Sequence, residues 1–149
     1  GAEKRQREAQ QGSGGLYQVK EFKVLNDPGD DELVIEHGAD LMAEMVLYAP
    51  DGRPPVALVG VMRADGTPVY GVASDFDGVS PEVVDEQHFR YHIRFNALQL
   101  LPGNYSIRGH AMDPEGMRLC DTSEIRFSVS GQSREMGFIH LPHDWNPGK

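Results

Sequence analysis

Arginine and histidine recur at every second position in two segments of this chain, and a third segment adds one more arginine. Arg90, His92 and Arg94 alternate with Phe89, Tyr91, Ile93 and Phe95. Ser106, Arg108 and His110 alternate with Tyr105, Ile107 and Ala111, and Arg126 stands between Ile125 and Phe127. A guanidinium presents a planar fork of donors that matches carboxylate and phosphate, and such charge-assisted bonds are about twice as strong as neutral ones. Histidine adds a donor and a flat ring that can stack on a sugar. The chemistry indicated is non-covalent capture of an anion. The whole chain carries a net charge of -9, so these cations are not a by-product of basic composition.

A period of two is the period of a β-strand, whose successive side chains point to opposite faces. If the three segments lie in one sheet, Arg90, His92, Arg94, Ser106, Arg108, His110 and Arg126 share a face opposite Tyr91, Ile93, Tyr105 and Ile107. That face is the expected ligand site, with Arg94 and Arg108 held at mid-strand. The competing reading is a solvated outer face, its cations balanced by Glu124 and Glu44. The remaining chain reads as short strands over 17–25, 33–36, 41–48, 56–63, 68–73, 88–96, 104–112, 123–129 and 136–141. Gly, Pro, Asn and Asp punctuate them, as in Asn26–Asp31 and the Asp65–Gly66 hairpin pair. About nine strands without an amphipathic helix predict an all-β fold, an antiparallel β-sandwich of jelly-roll or immunoglobulin-like type. Tyr105 follows a Pro-Gly turn at a strand start. It is read either as a tyrosine that pins the preceding crossover through its hydroxyl or as an apolar strand residue.

At 149 residues the chain fits one domain. Residues 1–15 lack apolar periodicity and end in Gly and Ser, so they read as a linker or remnant, with the sandwich over 16–149. Cys120 is the single cysteine, which excludes an internal disulfide. No apolar run approaches the roughly 20 residues that span a bilayer. The negative balance disfavours nucleic acid as a partner. Acidic and histidine groupings such as His140, His143 and Asp144, or Asp75, Asp77 and Asp85, match no recognised metal spacing, so neither metal nor cofactor is expected. No Ser, Cys or carboxylate constellation marks a catalytic site. Trp145 could stack on a sugar, but a lone tryptophan after the final strand reads better as a plug for a sandwich end or an interface.

Together the Asp65–Gly66 hairpin, the long loop over 74–87, HFRYHIRFNALQLLPGNYSIRGHAMDPEG over 88–116, SEIRFSVSG over 123–131 and the terminal GFIHLPHDW carry a resemblance. Over about residues 17–145 the chain resembles the C-terminal carbohydrate-binding domain of Wzt, the nucleotide-binding component of O-antigen ABC transporters. The resemblance implies a non-catalytic module that binds the modified non-reducing end of a lipid-linked O-polysaccharide before export. It implies a cap of the Kdo type or a phosphate, and a location at the cytoplasmic face of the bacterial inner membrane. It also implies contact with the rest of the transporter, and a homodimer, possible through exchange of a C-terminal strand around 135–141. The ATPase part would precede residue 1, and no GxxxxGK[ST] loop occurs in the chain. The alternative is an immunoglobulin-like structural or dimerisation module, and a third class, a glycan-processing enzyme, would turn its polysaccharide over.

Overall fold

The computed structural model describes residues 10–11, 16–29 and 32–148, and of Gln10 and Gln11 only the backbone. Among the described residues ten strands run in the order β1 (Gln10–Gln11), β2 (Gln18–Val24), β3 (Val34–Glu36), β4 (Leu41–Tyr48), β5 (Val56–Arg63), β6 (Pro68–Ala73), β7 (Glu82–Val83), β8 (His88–Phe95), β9 (Gly103–Met112) and β10 (Leu119–Ser130). They form a sandwich of two sheets. The larger has the order β1-β10-β9-β5-β6, with β3 also on β10, and the smaller has β2-β4-β8-β7. The all-β sandwich expected from the sequence is the fold. Two of its ten strands are only two residues long, and the pairing of β3 with β10 is parallel where an antiparallel sheet was expected. The linker reading of 1–15 falls mostly outside the described residues, although Gln10 and Gln11 pair with Thr122 and Asp121.

The alternation explains the layers. Phe22, Met45, Leu47, Phe89 and Tyr91 of the smaller sheet meet Val59, Ile107, Ile125 and Phe127 of the larger in one buried cluster. Gly109 faces inward between them. A Cβ there would lie 2.8 Å from Cε1 of Phe22 and 2.9 Å from Cε of Met45, so the two sheets approach as closely as they do only because this position has no side chain. At one side of the sandwich Asp121, fully buried, accepts the Val19 amide at 2.8 Å, a bond from the smaller sheet to the larger.

Between β8 and β9 the chain changes sheets. Leu98, Leu100 and Leu101 are all buried, and Leu98 exchanges backbone hydrogen bonds with Gly38 and Ala39. A connection this apolar closes the end of the sandwich instead of turning tightly into a hairpin. The Tyr105 hydroxyl donates to the Leu101 carbonyl at 2.6 Å and pins this crossover, the first of the two readings of that residue. The 136–141 segment forms no regular strand; one antiparallel bridge joins Ile139 to Leu100.

Candidate functional site

The crossover decides where the cations go. Arg90, His92 and Arg94 lie on β8 in the smaller sheet, whereas Ser106, Arg108, His110 and Arg126 lie on β9 and β10 in the larger. Their inward neighbours Phe89, Tyr91, Ile107 and Ile125 are buried in the core, so both groups point outward, on opposite outer faces. The expectation that they share one face is therefore corrected. Alternation fixed which side chains point away from the core, but β9 pairs with β5 and β10, not with β8. Arg94 and Arg108 cannot grip the same ligand.

On the larger sheet the register sets out three rows across four strands. Thr122, His110, Leu58 and Ala73 form one row; Glu124, Arg108, Gly60 and Gly71 the next; and Arg126, Ser106, Met62 and Pro68 the third. In the middle row two glycines stand side by side on β5 and β6. A Cβ on Gly60 would meet only the Tyr70 carbonyl at 3.6 Å, and one on Gly71 only the Val59 carbonyl at 3.9 Å. Gly71, on the edge strand, is exposed, while Gly60 is buried under its neighbours, so the row is a shallow trough between Leu58 and Met62 that is open only at its edge and runs inward towards Arg108.

The trough's polar end is organised around one carboxylate. Arg108 donates from Nε to Glu124 at 2.6 Å, and the Ser106 hydroxyl donates to the same oxygen at 3.2 Å. Arg126, exposed one row away, has no ion-pair or hydrogen-bond partner among the described residues. His110 shares a 2.7 Å hydrogen bond between Nδ1 and the Thr122 hydroxyl. Burial, reinforced by the charge of Arg108, pushes its pKa down to about 4. His110 is thus neutral at physiological pH. It is a hydrogen-bonding group in the site, not one of its cations, which corrects the reading of the stripe as uniformly cationic.

The smaller sheet's outer face is internally neutralised. Glu44 on β4 receives His92 Nε2 at 2.7 Å and Lys23 Nζ at 3.2 Å. Burial raises the Glu44 pKa, but the hydrogen bonds from His92 and Lys23 outweigh it and hold the carboxyl below its ordinary value. Arg90 pairs with Glu82 at 2.5 Å, while its buried Nε has no hydrogen-bond partner and lies 3.6 Å from Glu44. This is the solvated, charge-balanced face of the competing reading. Arg94 alone in this group makes no ion pair among the described residues.

Trp145 does not plug the sandwich; it is 86% exposed and touches His143 edge to face. Gly60 and Gly71 were missed from the sequence. Their signal was present in the smooth apolar strands 56–63 and 68–73, each interrupted by one glycine, and becomes legible only once the register sets the two side by side.

No protein-family model matches the chain, and no curated protein matches it. Solved structures do match. A Niemann-Pick type C2 protein from Japanese carpenter ant aligns with a TM-score of 0.58 at 12% identity, covering 83% of this chain and 98% of that one. The CARDB domain of a Pyrococcus furiosus protein, solved in complex with di-metal ions, aligns with a TM-score of 0.45 at 17% identity, covering 76% of this chain and 87% of its own. At such identity the carpenter-ant structure shows the sandwich fold alone, and the second likeness carries no further weight.

Proposed function

We propose that this chain is a non-catalytic glycan-binding module. It recognises the anionic non-reducing end of a lipid-linked O-antigen polysaccharide and couples chain completion to export by an ABC transporter. The observation that supports this reading is the trough on the larger sheet. Its glycine pair carries no side chain, and at its open end the exposed Gly71 lets a ligand approach the edge-strand backbone. Arg126 is free to take a carboxylate or phosphate, while Glu124, Arg108, Ser106 and neutral His110 offer hydroxyl groups both acceptors and donors.

Binding on an open sheet face stays wet and individually weak. Two modules on a dimeric transporter at the cytoplasmic face of the inner membrane would compensate through effective concentration. The C-terminal segment suits self-association. Apart from its bridge to Leu100 and the backbone bonds of Phe138 and His140, it leaves Met136, Leu141 and Trp145 exposed.

Calorimetric titration with capped and uncapped O-polysaccharide tests the reading. The capped form binds; Arg126→Ala and Arg108→Ala lose most of that affinity, and Arg94→Ala, on the opposite face, keeps it. Equal binding of both glycans would refute the proposal. Loss of binding in Arg94→Ala alone would move the site to the smaller sheet.

A further inference from the structure

On the side of the sandwich where β6 borders one sheet and the 91–95 part of β8 borders the other, the two sheets do not close. Tyr70 and Phe95 meet there edge to face, with ring centroids 6.2 Å apart. Beside them a cleft of about 110 Å³ opens between the sheets. Met45, Val59 and Tyr91 form its walls, and alanines at 43 and 57 stand where larger side chains would fill it. Protein interiors leave few voids larger than a water molecule; this cleft is smaller than the apolar cavity of about 150 Å³ that holds benzene, so it has room for the last few carbons of a chain whose remainder lies outside the mouth.

The polar atoms of the cleft wall are already engaged. The Tyr91 hydroxyl donates to the Pro55 carbonyl at 2.7 Å, and the Ser74 hydroxyl oxygen accepts the Ala57 amide at 3.0 Å. Nothing inside calls for a polar ligand. The mouth is different. Val79, 50% exposed, lies there with Asp77 and His92. The Asp77 carboxylate disfavours an anionic group at the entrance, and the His92 ring is already bonded to Glu44.

We propose that this cleft is a second binding site, independent of the outer trough, for the end of a short aliphatic chain whose outer group is uncharged. The probe is 1-hexanol, titrated into the full chain and followed by amide chemical shifts. Saturable shifts at Ala57, Val72 and Ile93 are expected, with hexanoate binding more weakly. Val72→Phe fills the cleft from the edge strand and should weaken 1-hexanol binding by about tenfold or more; Ala57→Val narrows it from the opposite wall. The wild-type titration decides the matter if neither variant folds. Unsaturable shifts, shifts confined to exposed Met136 and Trp145, or unchanged affinity in a folded Val72→Phe would overturn the proposal. Equal binding of hexanoate would overturn its charge selectivity.

Discussion

Single side chains carry both the site and the ends of the sandwich. Tyr105 is a clear case: removing its hydroxyl in Tyr105→Phe leaves the Leu101 carbonyl without its 2.6 Å donor. The expected loss is about 1–3 kcal/mol, read as a lower urea midpoint with an unchanged slope. His110 gives a pH signature. Its folded pKa of about 4 lies below the ordinary 6.5. The unfolded chain therefore takes up a proton first, and the stability conferred by neutral His110 is complete above 6.5 and lost as pH falls towards 4. His110→Gln should flatten the dependence of Tm on pH across that window, and the His110 ring should titrate near 4 by NMR. Asp51 acts lower on the scale. Hydrogen bonds from Tyr17 and then Arg53 hold it at about 2, against 3.8 when free, so its contribution is present above 3.8 and lost as pH falls through 2. Asp51→Asn should be the less stable protein at neutral pH, with the difference vanishing across that interval in acid denaturation. The outward direction of Arg90, Arg108 and Arg126 was legible from alternation alone. Their partners were not, because Glu124 meets Arg108 and Glu44 meets His92 only through cross-strand register.

Strands were the most legible elements. Those over 41–48, 56–63 and 68–73 begin and end where Gly, Pro and Asp clusters placed them. Which sheet each strand joined was not legible, since the same alternation fits either sheet. In the structure the buried leucines of 98–101 cover the end of the sandwich where the chain passes from one sheet to the other. Two strand glycines now separate function from packing. Gly71→Val suits strand geometry and meets no side chain within 4 Å. It should leave Tm unchanged or higher while abolishing binding of the capped glycan. Gly109→Ala should do the reverse to the fold, because its Cβ would lie 2.8 Å from Phe22. A loss of about 1–3 kcal/mol is expected from such overpacking, measured by thermal unfolding.

At the scale of the whole molecule, the two sheets are joined by their shared core and by Asp121, whose buried carboxylate holds the Val19 amide from 102 positions away. Asp121→Ala strips that amide of its partner inside the protein and should cost about 3 kcal/mol, seen in denaturant unfolding. The placement of β10 has a consequence for the order of events in making the protein. β10 pairs with β1, β3 and β9, so two N-terminal strands find their place in the larger sheet only through residues 119–130. During synthesis roughly a hundred residues must wait, with their apolar faces uncovered, until that last long strand leaves the ribosome. Assembly should then proceed in a single step on the millisecond-to-second scale of sandwiches rich in distant pairings. A chain stopped short of residue 119 would be a substrate for chaperones and proteases rather than a smaller version of the domain.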